Sequence, residues 1–486
     1  MIDHPRALRK DTLASPEWQR RIDDLATSLD IPGAQVGVVA LNGNDADIRV
    51  LTTGVASRGH GTPVTARTLF HFGSITKVWT TTLLMQLVEE GAITLNTTIA
   101  EVLPEARTDR EGATAEITVR HLLSHTSGIE GDFFRITGEN DDALGLYMQQ
   151  MPQSQSVTDP GGPISYCNFG FSIAGAIAAE RGGALWDDLI AARIVARLGI
   201  TDMLTRSTDA GLFETAVGHA PGADGQPAAP VPTWQLPRSL GPAGLIAGTA
   251  DTLLKFAAAH LRDGLALSGE RILSAESAIA MRQPQSHLGD ASTTLLGWGL
   301  GWTLADWGTP VVLHTGSTIG QTSSLVLLPE FGIAFCTLTN AATGPAFIAK
   351  VETLLANELG LTRPVPREDP HACQDAVRSL IGKWRTPWLL AEITENPDAA
   401  EGGVVVSLRE GPAIEANAPA QQYKLQAAGG NRFLFERFGL PAEIARVDHD
   451  GREFLWAGRL LERVHESAHP DTSNPAANAS TEQEPA

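Results

Sequence analysis

The chain has 486 residues, 43 % of them hydrophobic and 19 % charged, which is enough apolar material for a large core and more than one domain. Its formal net charge of −20 argues against nucleic acid and anionic membrane as partners, since both are bound through basic patches. Cys167, Cys336 and Cys373 are too scattered for a disulfide framework or zinc cluster, and no apolar run approaches the ~18 residues of a membrane helix. The first residues, Met1-Ile-Asp-His-Pro-Arg6, lack the apolar stretch of a secretion signal, so the expected compartment is the cytoplasm.

Residues 1–16 read as a loose N-terminus. Pro16–Leu29 follows as a short helix with Pro in its first turn and apolar positions at Ile22, Leu25 and Leu29. Val36–Leu41 is a buried-strand run, Asn42-Gly43 a hairpin turn and Ile48–Thr53 the returning strand. Next comes Phe72-Gly73-Ser74-Ile75-Thr76-Lys77, which opens an apolar helical run to Glu90, with Gly91 as its stop. The order helix, hairpin, helix points to an α+β fold rather than a βαβ repeat. Residues three apart share a helix face, so the Lys77 amine should lie beside the Ser74 hydroxyl. A serine needs a neighbouring base to become a good nucleophile, and a lysine can be that base when burial or positive neighbours lower its pKa. The helix N-terminus would also offer N–H groups to a developing oxyanion. The plain alternative is a capping serine followed by a solvated lysine. Against it, Lys77 stands in a stretch with almost no other charge until Glu89.

Ile117–Gly128 reads as a short helix from Thr118 to about Ser124, ending in a turn at Thr126-Ser127-Gly128. His121 and His125 are four apart, but no Glu follows His121, so a histidine bonded to the turn is expected rather than a metal ligand. No metal or other cofactor is expected. Tyr166-Cys167-Asn168 contains one of only three tyrosines. In an extended or tightly turned segment both polar side chains would face one cavity, Tyr166 to pass a proton and Asn168 to donate to a substrate carbonyl. The plain alternative is a loop tyrosine covering the core beside a helix at Phe171–Glu180. Pro242–Asp251 leads into a helix at Thr252–Leu261. Val311-Val312-Leu313-His314-Thr315-Gly316-Ser317 reads as a strand in which Gly316 permits close approach of a ligand. Ser323–Leu328 and Ile333–Thr339 form a hairpin, and a strand edge here can pair with a peptide-like substrate.

Taken in order, Ser74-x-x-Lys77, Tyr166-x-Asn168 and His314-Thr315-Gly316 resemble the three motifs of the serine β-lactamase and penicillin-binding-protein superfamily. Leu122–Gly128, Gly241–Gly244, Gly297–Trp302 and the hairpin ending at Asn340 resemble it as well. The resemblance implies an antiparallel sheet flanked by helices plus an all-helical lobe, with the site between them. It also implies Ser74 as acylated nucleophile, Lys77 and Tyr166 as proton carriers, and the N–H groups of Ser74 and Ser317 as oxyanion hole. Asn168, His314, Thr315 and Gly316 would bind substrate. Most β-lactamases and D,D-carboxypeptidases carry Lys where this chain has His314, and a histidine is mostly neutral at pH 7. His there resembles the D-aminopeptidase and esterase branches, and the penicillin-binding-protein-type thioesterases that release nonribosomal peptides as macrocycles.

The resemblance places a catalytic domain at 17–361 and a linker at 362–370. Beyond it, Gly403–Leu408, Gln422–Gln426, Arg432–Phe438, Ile444–Asp448 and Glu453–Ala457 are short β-rich runs, with Asp450-Gly451 as a tight turn. They suggest a small antiparallel barrel at 371–465, similar to the lipocalin-like domain of several D-aminopeptidases, esterases and cyclising thioesterases. The tail from 466 to 486 reads as disordered. The expectation is a serine acyl-transfer enzyme acting on amides or esters of D-residue-containing peptides, with a small peptide or acyl substrate, free or on a carrier protein. The alternatives are a macrocyclising thioesterase, a β-lactamase and a non-catalytic peptide-binding protein.

Overall fold

The structure is a computed structural model that describes residues 15–464 apart from 44, 223–225, 235, 370, 397–402 and 419. Residues 1–14 and the tail from 465 lie outside the described residues. Pro16 is already helical: α1 spans Pro16–Ser28, and the Ser15 hydroxyl caps it by accepting from the Trp18 N–H at 3.3 Å. The hairpin follows as β1 (Gly33–Asn42) and β2 (Asp45–Gly54). The first long buried helix, α2, spans Thr76–Glu89; α3 spans Asn168–Gly182 and α4 Ala250–Leu261. Six strands come next: β3 (Ser286–His287), β4 (Gly297–Trp298), β5 (Thr303–Asp306), β6 (Pro310–Ser317), β7 (Thr322–Leu328) and β8 (Ile333–Thr339). Helix α5, Gly344–Glu358, closes this part of the chain.

The strands form one antiparallel sheet in the order β2-β1-β8-β7-β6-β5-β4-β3. Helices α1 and α5 cover one face through Trp18, Ile22, Phe347 and Leu355, packed on Val326 and Phe335. Helix α4 and the helical lobe cover the other. Because β7 and β8 are buried on both faces, every residue in them is buried and the polar–apolar alternation of a surface strand is missing. Helix α2 is buried all round from Thr76 to Leu87. Trp79 stacks on Phe256 of α4 with centroids 4.0 Å apart, and the Thr81 and Thr82 hydroxyls bond back to the carbonyls of Lys77 and Val78 at 2.9 Å. A helix this deeply packed holds Lys77 in a fixed place.

Two glycines let the chain close on the site. Pairing between β5 and β6 ends at Thr303–Leu313, so His314–Ser317 have a strand partner only on the β7 side. This free half of β6 lies against the turn at Gly73. A β-carbon on Gly316 would sit 2.1 Å from the Phe72 carbonyl oxygen, and one on Gly73, whose φ is +52°, would sit 2.9 Å from the Ser317 nitrogen.

Residues 382–463 form a closed eight-stranded antiparallel barrel. Its strands are β9 (Gly382–Arg385), β10 (Leu389–Glu395), β11 (Val404–Glu410), β12 (Gln422–Gly429), β13 (Arg432–Arg437), β14 (Leu440–His449), β15 (Arg452–Trp456) and β16 (Leu460–Arg463). Asp450 and Gly451, at φ +49° and +73°, make the tight turn between β14 and β15. Sequence patterning found β11 to β15 but not β9, β10 and β16; β9 and β16 are only four residues long, and β10 carries two adjacent leucines rather than a clean alternation. Several bonds pin the barrel to the rest of the chain, among them four to residues 157–166. Tyr166 N–H donates to the Gly458 carbonyl at 2.9 Å and Leu460 N–H to the Ser165 hydroxyl at 3.2 Å. The Trp456 indole donates to the Ile164 carbonyl at 3.1 Å and Arg452 to the Val157 carbonyl at 2.8 Å.

Gly316→Ala must push β6 away from the Gly73 turn. It is expected to destabilise the protein by roughly 1–3 kcal/mol, as overpacking does, and to slow turnover about 10²-fold, the cost of an ångström of misplacement at a reacting centre. Urea unfolding and steady-state rates on one preparation check both numbers; wild-type turnover would show that this contact does not position the site.

Candidate active site

Ser74 lies in a single 3₁₀ turn, Gly73–Ile75, that runs straight into α2. Lys77 is fully buried one turn later. Its Nζ has three neighbours: Ser74 Oγ at 3.1 Å, Asn168 Oδ1 at 2.7 Å and the Ala243 carbonyl at 2.7 Å. Burial drives the Lys77 pKa well below its ordinary 10.5, and the positive charge of Arg459 lowers it further against the opposing pull of Asp132. A neutral amine has two hydrogens and one lone pair. The two carbonyl oxygens can only accept, so they take the hydrogens, and the lone pair is left for the Ser74 hydroxyl.

Asn168 is turned the right way for this by a residue that sequence reasoning missed. Asp132, in the loop after Gly131, accepts from Asn168 Nδ2 at 2.8 Å. A carboxylate has no donor, so the amide must present its amino end to Asp132 and its carbonyl end to Lys77. Asn168 is the first residue of α3, where an extended or tightly turned segment was the expectation. Donation to a substrate carbonyl would have to use its second amide hydrogen.

The other end of Asp132 reaches into the barrel. Arg459 donates to Asp132 Oδ1 from Nη2 at 2.8 Å and makes a second, short contact from Nε to Oδ2. Its guanidinium lies 5.2 Å from the centroid of the Tyr166 ring. No sequence pattern marks either residue, because their meeting depends on where the β15–β16 turn lands. Beside them Glu130 accepts from the Asp132 N–H at 2.9 Å, and burial raises its pKa to about 7.

Tyr166 precedes α3 and is half-buried with its hydroxyl inside, Lys77 Nζ lying 4.8 Å from its ring centroid. Burial raises its pKa well above 10, and the nearby Ser74 oxygen only partly offsets this, so the phenol keeps its proton at neutral pH. Among the described residues the Tyr166 hydroxyl has no well-formed hydrogen bond. His125 packs against this ring at a tilt of 32°, with centroids 4.3 Å apart. It was expected to bond its own turn; instead its Nδ1 accepts from the Cys167 N–H at 3.0 Å, and His125 itself takes a left-handed φ of +58°. His121 closes a capping box with Thr118, its Nδ1 accepting from the Thr118 N–H at 3.3 Å.

His314 donates from Nδ1 to the Thr315 carbonyl at 2.6 Å, since a carbonyl can only accept. Its Nε2 lone pair is buried without a partner among the described residues. Burial and the neighbouring Lys77 pull the imidazole pKa down to about 3, so the ring is neutral throughout the physiological range. Ser74, Tyr166, Asn168, His314, Thr315 and Ser317 all line one cleft of about 560 Å³, with Gly458 and Arg459 of the barrel on its wall. Gly316 lies between the last two of them on β6, against the Phe72 carbonyl.

The beta-lactamase family profile matches residues 18–358. The chain belongs to this family of serine hydrolases. Penicillin-binding protein 4 of Amycolatopsis lactamdurans is 39 % identical over 349 residues, covering 71 % of this chain and 90 % of that relative. The crystal structure of SurE superposes with a TM-score of 0.71 at 26 % identity, covering 92 % of this chain and 98 % of that one. That match therefore takes in the barrel as well as the catalytic domain. The D-amino acid amidase of Ochrobactrum anthropi shares the fold at 22 % identity and TM-score 0.58, over 70 % of this chain and 96 % of its own.

Arg459→Met leaves Asp132 as a bare negative charge two hydrogen bonds from Lys77. That charge favours the ammonium, so the Lys77 pKa rises. A base works only when deprotonated, so the acid limb of the kcat/KM profile should move to higher pH and activity at pH 7 should fall. Asp132→Asn has no such charge and should not move the limb upward. A pH–rate profile of the two variants checks the sign; a limb that stays put in Arg459→Met would separate the barrel from the base.

Proposed function

We propose that this chain is an acyl-transfer enzyme in which Ser74 attacks an amide or ester carbonyl and is acylated, with Lys77 as base and Tyr166 as acid. The observation that carries the reading is the setting of Lys77: fully buried, its pKa driven well below the ordinary value, bonded to two carbonyl oxygens and 3.1 Å from Ser74 Oγ. Ser74 gives its proton to Lys77 as it attacks. The N–H groups of Ser74 and Ser317 stabilise the oxyanion. Tyr166, held protonated by burial, supplies the proton to the leaving group and is replenished from Lys77 across the same few ångströms. Water or an amine then takes the acyl group and Ser74 is released.

The proposed substrates are small peptides or related acyl compounds, free or on a carrier protein, with a D-residue at the scissile carbonyl. Two features support this. His314 is neutral, and the two arginines of the cleft wall, Arg459 and Arg363, are paired with Asp132 and Glu352, which leaves neither as a ready anchor for a terminal carboxylate. SurE, similar over both domains, has also been crystallised with D-Leu. The same features make penicillins, which carry a carboxylate, poor substrates. A second reading keeps the mechanism and gives the acyl group to an amine of the substrate itself, closing a ring as a macrocyclising thioesterase would. The barrel favours it, because Gly458 and Arg459 wall the cleft and limit the water that reaches the acyl-enzyme.

Ser74→Ala should abolish turnover, and mass spectrometry after a fluorophosphonate should find the adduct on Ser74 of the parent and nowhere in the variant. Tyr166→Phe should lower the rate by about 10²–10⁴-fold. Matched thioesters ending in D- or L-residues, with linear and cyclic products counted, test the substrate class. Equal rates for the two hands, or rapid turnover of a simple penicillin, would overturn the D-residue reading.

A further inference from the structure

The cleft that holds Ser74 has a neighbour. A second cavity of about 330 Å³ continues it between the two domains and shares Thr294, Leu295, Arg363, Pro364 and Gly458 with it. One wall is the linker segment Pro364-Val365-Pro366; the other is Leu440, Pro441 and Trp456 of the barrel.

The charged groups here are already matched within the protein. Arg363 donates from Nε to Glu352 at 2.7 Å. Glu443 accepts from the Ser292 hydroxyl at 2.8 Å, from the Thr293 N–H at 3.1 Å and from the Thr293 hydroxyl at 2.6 Å. The Trp456 indole N–H is used on Ile164, so its ring is left as an apolar surface. Pro364, Pro366 and Pro441 have no backbone N–H and a fixed φ, so these walls are stiff and poor in donors. Such a pocket cannot pair with a peptide backbone as the free edge of β6 can. It recognises a shape without charge, and its linker wall offers Val365 to whatever enters, that residue being 41 % exposed.

We infer that this interdomain cavity is a distal substrate subsite, which takes a neutral, apolar side chain or acyl group of a substrate whose scissile carbonyl lies at Ser74. The inference rests on the acyl-transfer reading for the identity of the ligand, and it makes the substrate longer than the catalytic cleft alone requires. The barrel thereby acts on both ends of the substrate: Arg459 beside the reacting groups, Leu440, Pro441 and Trp456 at the far end.

The test uses the full chain and thioesters of one length that end in D-Ala. They carry either Leu or Ser at the second, third or fourth residue back from the thioester; acetyl-D-Ala thioester is the short reference. The parent should favour Leu over Ser at one of these positions by at least tenfold in kcat/KM, the discrimination an apolar pocket typically gives. Val365→Asp and Leu440→Asp should remove that preference, seen as a fall in the long-to-short ratio. Leu440→Ser serves if an aspartate variant folds poorly. The same Leu and Ser peptides, as non-hydrolysable amides, are also titrated against Ser74→Ala with and without Val365→Asp. This binding arm decides the subsite even if no thioester is turned over, an outcome that would sink the acyl-transfer reading instead. Absence of a Leu preference in both arms, or a preference that survives both wall substitutions, overturns the subsite.

Discussion

The buried pair between Asp132 and Arg459 is the constraint on which the site turns. The Asp132 side chain is 3 % exposed, and a carboxylate so buried is stable only when its charge is met and its oxygens are bonded. Arg459 meets the charge from the barrel, while Asn168 and Arg459 share Oδ1 from opposite sides. Removing one member of such a pair typically costs about 3–5 kcal/mol, because the other is left stranded. The cost here would not stay local. Asp132 orients Asn168, Asn168 takes a hydrogen from Lys77, and Lys77 faces Ser74. The domain contact and the protonation state of the base are therefore one electrostatic arrangement.

Burial does opposite things to the titratable groups around Ser74, and the chemistry follows from that difference. Taking a group out of water penalises whichever of its forms is charged. For Lys77 and His314 that form is the cation, and their pKa values fall; for Tyr166 it is the phenolate, and its pKa rises. A single dry cleft thus shifts the amine toward its free form beside a neutral imidazole and an intact phenol. The free half of β6 completes the set, since it brings backbone groups to the same point without another side chain. Gly73 and Gly316 make that approach possible by having no β-carbon to obstruct it.

Much of this was legible in the amino-acid order because it is local. Ser74 and Lys77 are one helical turn apart, the β7–β8 hairpin is marked by its apolar runs, and the glycines of β6 and the Gly73 turn stand beside the residues they serve. The eight-stranded barrel was visible through β11 to β15 and invisible in β9 and β16, which are only four residues long, and in β10, whose paired leucines break the alternation of a strand. Asp132, Arg459 and the Ala243 carbonyl could not be read, for a different reason. Each acts through a partner far away in the chain, and Ala243 acts through its backbone, which carries no residue-specific signal. His125 shows the same limit on a smaller scale: its neighbours suggested a bond within its own turn, whereas packing gave its nitrogen to Cys167.

The position of Arg459 along the chain also sets an order of assembly. The sheet and its helices are complete at Glu358, but the guanidinium that matches Asp132 is made about a hundred residues later, in the turn before the last strand of the barrel. At the ribosome's pace of ~5–20 residues per second, that interval lasts roughly 5–20 s. Until then Asp132 has no Arg459 to pair with, so the contact that ties the barrel to the Asn168–Lys77 chain is the last of the site's bonds to form. The surroundings of Ser74 and Lys77 are therefore completed from the far end of the barrel, by its final hairpin.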